Sequence, residues 1–104
     1  MRVHSEIDAP SFLTSVARIA RHANASVLCA LGGGPRRQSE LLDIIGTLNE
    51  ATLAMSLREL DRDGLIARRV DPGPPLRVLY ELTPRGTALA SWLRPLRDWT
   101  SAQA

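Results

Sequence analysis

The alternation of apolar and polar positions predicts an amphipathic helix near the middle of the chain. Leu53, Leu57 and Leu60 follow the i, i+4, i+7 spacing that places side chains on one face of a helix. Asn49 is typical of a helix start, because its side-chain oxygen can accept a hydrogen bond from a free amide of the first turn. Gly64 is typical of a helix end, because glycine readily adopts the left-handed conformation found there. We therefore predict a helix over residues 49–63.

Three shorter helices are predicted before it. Residues 11–22 have a helical pattern with Phe12 on the apolar face, and residues 24–31 form a mostly apolar run that three glycines and a proline end. Residues 39–45 form a third helix, which a tight turn at Gly46 joins to the central one. Two helices joined by a short turn that contains glycine have the outline of a helix-turn-helix motif.

Two short apolar segments, 65–70 and 76–82, follow the central helix and predict β-strands. The five residues between them include three prolines and a glycine, which favour the tip of a hairpin over a continuous strand. Thr83 and Pro84 are then typical of the cap and first position of a last helix. The sequence thus predicts a mainly α fold with a small β-hairpin. This is a winged helix-turn-helix domain of five helices plus a wing at 66–82.

The last helix carries an apolar stripe that includes both tryptophans of a chain with only four aromatic residues. Such a stripe exceeds what a small core needs, so we predict a dimer interface, with packing inside one chain as the alternative. Pro95 is expected to bend this helix or divide it. The candidate interface residues are Phe12, Leu89, Trp92, Leu96 and Trp99.

Length and composition predict one domain. A chain of 104 residues is about the size of a single core, and we assign it to residues 11–100, with a mobile segment at 1–10 and a tail at 101–104. No run of about 18 apolar residues and no signal peptide is evident, so we expect no membrane association and a cytoplasmic location. The charge is only +2, and all 13 basic residues are arginines. The placement of the arginines is therefore more informative than their number.

The sequence does not indicate an enzyme. Its two histidines and one cysteine have no triad or ligand spacing, and residues 32–34 fit a turn better than a phosphate-binding loop, so we expect no metal and no cofactor. Cys29 lies in an apolar helical run, which favours a buried core residue. A redox-sensing thiol is the alternative.

Four segments resemble the HxlR-type winged-helix transcriptional regulators of the wider MarR-like group. The resemblance covers about residues 11–100 and implies small bacterial dimers that bind operator DNA, with helix 49–63 in the major groove and the wing beside it. The segments are Gly34-Pro35-Arg36-Arg37 with Glu40-Leu41; Leu57-Arg58-Glu59-Leu60 with Asp63-Gly64-Leu65-Ile66; Tyr80-Glu81-Leu82-Thr83-Pro84-Arg85-Gly86; and Leu96-Arg97-Asp98-Trp99.

With its leucines inward, helix 49–63 is expected to point a second group of side chains outward, Glu59 among them. The candidates for contacts with base edges are Thr52, Met55, Arg58 and Arg62. The candidates for contacts with phosphate are Arg36, Arg37, Arg68, Arg69 and Arg77, of which the first two stand where a helix begins. Double-stranded DNA is the partner that these residues predict.

An alternative function follows from the charge of the same helix. Residues 49–63 contain four acidic residues against two arginines, and the family commonly has basic residues near the positions of Ala51 and Ser56. A winged-helix module that has lost DNA binding and binds a protein or a small molecule would fit this composition. A small-molecule effector is a further candidate partner. Its pocket, between the first, second and last helices of a dimer, would be apolar and would have the sequence pattern of an ordinary core.

Overall fold

Five helices and a hairpin follow one another in the predicted order. The computed structural model describes residues 9–103. Its elements are α1 (Ala9–Ala20), α2 (Asn24–Leu31), α3 (Gln38–Ile45), α4 (Glu50–Arg62), β1 (Ile66–Asp71), β2 (Arg77–Leu82) and α5 (Pro84–Gln103). The fold is a winged helix-turn-helix, as predicted.

Both ends of α4 have the predicted structure. The side chain of Asn49 accepts a hydrogen bond from the backbone amide of Thr52 at 2.8 Å, and Gly64 has a φ of +74°. At the start of α5, the hydroxyl of Thr83 accepts a hydrogen bond from the amide of Gly86 at 3.1 Å. These caps fix the limits of the two longest helices because they satisfy backbone groups that have no partner inside the helix.

The outer limits of the domain differ somewhat from the expected ones. α1 begins at Ala9, so the segment expected to be mobile lies mostly outside the described residues. α5 runs to Gln103 and therefore includes most of the expected tail. Pro95 lies inside α5 without dividing it, because the helix continues through this position.

The packing centre of the fold is α2 and not α4. α2 contacts four other helices and β2, and Val27, Leu28 and Leu31 are almost completely buried. Neighbouring elements cover most of its surface, which accounts for the apolar run, and Ser26 lies on the side that stays exposed. Leu53, Leu57 and Leu60 of α4 close the core from one side, as their spacing predicts, and Ile66 of β1 joins them.

The hairpin pairs β1 and β2 in antiparallel register, with Arg68 opposite Tyr80 and Arg69 opposite Leu79. Arg36 extends this sheet in a way that the sequence did not reveal. Its amide donates to the carbonyl of Tyr80 at 2.9 Å, and the amide of Tyr80 donates to the carbonyl of Arg36 at 2.8 Å. The entrance of α3 is thereby attached to the wing.

The apolar stripe of α5 is divided between two faces. Leu89 and Leu93 pack against the core, whereas Trp92, Leu96 and Trp99 are exposed. The apolar residues of α1 are exposed as well, namely Phe12, Leu13 and Val16. Among the described residues, no helix combines the length and apolarity needed to cross a lipid bilayer.

Candidate nucleic-acid interface

The buried face of α4 is wider than its leucines alone predict. Ser56 is fully buried, and the side chains of Glu59 and Asp63 are each only 15% exposed. These three positions form a second helical row beside the leucines, because residues three and four apart lie on the same face. The expectation that Glu59 points outward is therefore wrong. The start of α2 packs over this row and removes it from solvent.

Polar contacts hold this second row in place. The hydroxyl of Ser56 accepts a hydrogen bond from the amide of Ala23 at 2.9 Å. Glu59 accepts one from Nδ2 of Asn24 at 2.9 Å, and its other carboxylate oxygen lies 3.1 Å from a guanidinium nitrogen of Arg21. Nε2 of His22 lies 4.0 Å from that same oxygen. The hydrogen bond from Asn24, together with the positive charge of Arg21, holds the pKa of Glu59 below its ordinary range.

This arrangement changes the charge that α4 presents to a partner. Asp63 forms a salt bridge of 2.8 Å with Arg18 of α1, and Glu59 pairs with Arg21. Two of the four acidic residues of the segment are thus neutralised on its inner side. The two remaining acidic residues, Glu50 and Asp61, are exposed and are balanced in number by the two exposed arginines of the helix. The outer surface of α4 therefore carries no net negative charge. Position 56 is also inside the protein, where a basic residue would not contact DNA.

The four residues proposed for base contacts differ in exposure. Met55 is 42% exposed, and Arg58 and Arg62 are exposed along the same side of α4. Thr52 is half-buried, and its amide is already bonded to the cap at Asn49. In the part of the chain that the structure describes, neither Arg58 nor Arg62 forms a salt bridge, so both guanidinium groups are available to a ligand.

The arginines at the entrance of α3 are less available than their position suggests. A Cβ placed on Gly33 would lie 2.8 Å from Nη2 of Arg36, so this guanidinium packs over the glycine turn. The backbone amide of Arg37 donates a hydrogen bond to Oε1 of Glu40 at 2.7 Å. Nε of the Arg37 side chain lies 3.7 Å from the same oxygen. The hydrogen bond from Arg37 lowers the pKa of Glu40. A carboxylate therefore occupies the place where an incoming phosphate was expected.

The arginines of the wing lie on opposite faces of the hairpin. Successive strand residues point to opposite sides, so Arg68 shares a face with the buried Ile66, whereas Arg69 and Arg77 lie on the other face. Arg69 forms a salt bridge of 3.1 Å with Glu81. Within residues 9–103, Arg68 and Arg77 have no such carboxylate partner.

A cleft of about 360 Å³ separates α4 from the wing. Arg58 of α4 and Arg68 of the wing line it from the two sides, and Asp61 of α4 is the acidic residue among its lining residues. Gln38 and Tyr80 also line it. Neither residue was among the predicted contacts, since both lie outside helix 49–63 and neither is an arginine. The cleft thus joins one arginine of the helix to one of the wing.

The remaining candidates lie away from this surface. Cys29 is half-buried beside Ile44 and Leu93 and has no disulfide partner. Within the described residues, no group of three or more histidine, cysteine, aspartate or glutamate side chains is arranged to hold a metal ion. Asn24 is the important residue that the sequence analysis missed. The available signal was an amide side chain at the first position of a mostly apolar helix.

Helix-turn-helix geometry, an adjoining wing and several exposed arginines that lack a salt bridge within residues 9–103 define a winged-helix DNA-binding domain. The family model described as HxlR-like helix-turn-helix matches residues 19–104. The transcriptional regulator YodB of Bacillus subtilis is 29% identical over 90 residues, which are 86% of this chain and 80% of YodB. YvaP of the same organism, also named as an HTH-type transcriptional regulator, is 32% identical over 88% of this chain and 85% of its own length.

Solved structures agree with these sequence matches. The reduced form of YodB has a TM-score of 0.77 at 28% identity and covers 88% of this chain and 89% of its own. The regulator YtfH of Salmonella typhimurium has a TM-score of 0.76 at 31% identity, over 86% of this chain and 80% of its own. The chain belongs to the HxlR-like helix-turn-helix family and is a DNA-binding transcriptional regulator.

Proposed function

We propose that the protein acts as a homodimer on operator DNA, with α4 in the major groove and the wing against the sugar–phosphate backbone. The observation that carries this proposal is the distribution of charge on α4. Its acidic residues Glu59 and Asp63 are paired with arginines on the inner side of the helix, while Arg58 and Arg62 are exposed and have no acidic partner among the described residues. Phosphate neutralisation supplies much of the affinity of such proteins, so the exposed charge matters more than the total.

The phosphate candidates can be ranked by their existing partners. Within the described part of the chain, Arg68 and Arg77 have no salt bridge that contact with DNA would break. Arg37 and Arg69 would have to exchange a carboxylate for a phosphate, and Arg36 would have to leave the glycine turn. We therefore assign the main backbone contacts to Arg68 and Arg77. Base contacts are assigned to Met55, Arg58 and Arg62, with Thr52 at the margin.

The exposed apolar side chains support the homodimer. Trp92 is 77% exposed, and Leu96 and Trp99 continue the same surface along α5. Phe12 and its neighbours on α1 add a second apolar strip. Exposed apolar side chains that adjoin one another in this way are typical of an interface. A two-fold dimer would present two copies of α4 to the two halves of a palindromic site.

The module without DNA binding is the less supported alternative, because two of the four acidic residues that motivated it, Glu59 and Asp63, are paired on the inner side of α4. Because DNA is the proposed partner, we infer a cytoplasmic location, where a bacterial chromosome lies. Redox sensing by Cys29 stays a prediction.

The proposal is tested by the binding of the purified protein to a nonspecific DNA duplex at a series of NaCl concentrations. If Arg68 and Arg77 of each of two protomers contact DNA, four phosphates are neutralised. At roughly −0.9 per phosphate, a plot of log K against the logarithm of the salt concentration should have a slope of about −4. A module that does not bind DNA would show no retention even at the lowest salt concentration, and this result would exclude the proposal.

A further inference from the structure

The glycine turn that follows α2, residues 32–34, is covered by two arginine side chains, one from α5 and one from the segment after the turn. A Cβ placed on Gly32 would lie 2.9 Å from Nε of Arg94. A Cβ placed on Gly33 would lie 2.8 Å from Nη2 of Arg36. Side chains at these two positions would therefore displace the guanidinium groups, and their absence leaves room for both.

The backbone does not require glycine at these two positions. Gly32 has a φ of −61° and a ψ of −22°, which other residues adopt without strain. Gly33 is not among the described glycines with a positive φ, whereas Gly34 is one of them, at +127°. The close approach of the two arginines is thus the physical reason for glycine at positions 32 and 33.

Neither arginine has a partner for its charge in the part of the chain that the structure describes. No salt bridge and no side-chain hydrogen bond joins Arg36 or Arg94 to another residue there. In each group the buried nitrogen is Nε, which has no acceptor, whereas the terminal nitrogens reach solvent. Glu40, at the start of α3, accepts its hydrogen bond from the backbone amide of Arg37 instead.

The arginines are not needed as caps for the end of α2. The amides of the three turn residues already donate to the last carbonyls of this helix, those of Cys29, Ala30 and Leu31. The negative end of the helix dipole still stabilises positive charge at this place, which offsets the repulsion between two guanidinium groups. What the turn lacks among the described residues is a group that accepts hydrogen bonds from the arginines.

We propose that this turn is a binding site for a phosphate group, which the terminal nitrogens of Arg36 and Arg94 hold. Two guanidinium groups match the charge and the several oxygens of a phosphate better than a carboxylate, for which one suffices. The donors are the arginines and not the turn amides, so the site differs from a glycine-rich phosphate loop. Neither arginine lines the cleft between α4 and the wing. A phosphate that reaches the turn does not require Arg36 to leave it.

Inorganic phosphate is the probe for the site. It replaces chloride at constant ionic strength in a solution of ¹⁵N-labelled protein, and the amide signals of residues 32–34 are followed. We expect these signals to shift saturably. Arg94→Gln should weaken phosphate binding about tenfold, the effect of losing a hydrogen bond between charged groups. Arg97→Gln removes the same charge from the same helix, but Arg97 is paired with Asp98, and this control should bind phosphate as the parent does.

Gly32→Ala tests the site without removing a charge. Its methyl group would displace the guanidinium group of Arg94, while the helical backbone at this position accepts alanine. The variant should therefore fold and lose phosphate affinity as Arg94→Gln does. If Arg94→Gln does not fold, as judged by circular dichroism, Gly32→Ala replaces it in the comparison. The absence of a shift at the turn would overturn the proposal, and so would a shift that both variants retain.

The phosphate belongs either to a free anion or to the DNA backbone, and duplex DNA distinguishes the two. A salt slope that falls in magnitude by about one per protomer in Arg94→Gln, but not in Arg97→Gln, would assign the phosphate to DNA. An unchanged slope, with the phosphate shift retained in the parent, would assign the site to a free phosphate ligand. Only this comparison rests on the proposed DNA binding. A protein that binds no DNA but shows the phosphate shift would refute the proposed function and support the site.

Discussion

Nδ2 of Asn24 donates a hydrogen bond to Oε1 of Glu59 over 2.9 Å and thereby fixes the first residue of α2 to the inner side of α4. The same nitrogen donates to the carbonyl of Arg18 in α1 at 2.8 Å. One buried amide therefore joins three helices. It also holds the carboxylate that would otherwise add negative charge to the surface proposed to meet DNA.

Replacement of Asn24 by alanine is expected to lower the free energy of unfolding by about 2 kcal/mol, because the buried carboxylate of Glu59 loses a hydrogen bond. Urea denaturation followed by circular dichroism measures this change. Ser26→Ala, at an exposed position of the same helix, is the matched control and should stay within about 0.5 kcal/mol of the parent. Equal stability of the two variants would show that the amide has no structural role.

The same contact predicts a dependence of stability on pH. Since the pKa of Glu59 is lower in the folded protein than in the unfolded chain, the unfolded chain binds more protons around that pKa. The contribution of Glu59 to stability is thus complete above the ordinary glutamate pKa of about 4.3 and is lost as the pH falls through the folded value. Glu59→Gln should destabilise the protein at pH 7 and differ less from the parent near pH 3.

Denaturation of the two proteins at several pH values checks this expectation. Glu50→Gln removes a carboxylate from the exposed first turn of the same helix and serves as the control, with only a small difference expected at every pH. A difference between Glu59→Gln and the parent that does not change with pH would refute the proposed cause.

Most of the fold could be predicted from the sequence because its signals are local. The cap at Asn49, the glycine at position 64 and the Thr83–Pro84 start of α5 each depend on neighbouring residues alone, and each has the predicted structure. The bridge between Arg36 and Tyr80 could not be predicted, since it pairs backbone groups 44 positions apart in the chain without a sequence pattern.

The site was less predictable than the fold for a related reason. The prediction that Glu59 points to solvent assumed that only the leucine face of α4 is covered. The start of α2 also covers the adjacent row of the helix, which includes Glu59. Similarly, charge alone grouped Arg68 with Arg69, whereas strand alternation separates them. In both cases the missing information is which element packs against which face.

The arginines of α4 and the wing are expected to have different roles. Arg62→Ala should weaken binding to the operator by roughly 1–3 kcal/mol but change binding to unrelated DNA little, if this side chain contacts a base. Arg77→Ala should weaken binding to all duplexes and reduce the salt slope by about one per protomer that loses a phosphate contact. Fluorescence anisotropy with a specific and a scrambled duplex separates these effects. Identical profiles for the two variants would contradict the assignment.

The exposed apolar strip predicts that dimerisation is sensitive to a single charge. Trp99→Glu should raise the dissociation constant of the dimer about 100-fold or more, since buried tryptophans commonly dominate the energy of an interface. Leu76→Glu, at an equally exposed apolar position of the hairpin, is the control and should leave the dimer intact. Sedimentation velocity measures both. A Trp99→Glu variant that remains dimeric would place the interface elsewhere.

Selection of bound sites from a random pool of DNA duplexes tests the central claim most directly, because it requires recognition, dimerisation and orientation together. We predict enrichment of a palindrome with half-sites about one helical turn apart, roughly 10 base pairs, as two symmetric copies of α4 would read them. Recovery of no enriched sequence, at a salt concentration where the protein still retains DNA, would contradict base recognition by α4.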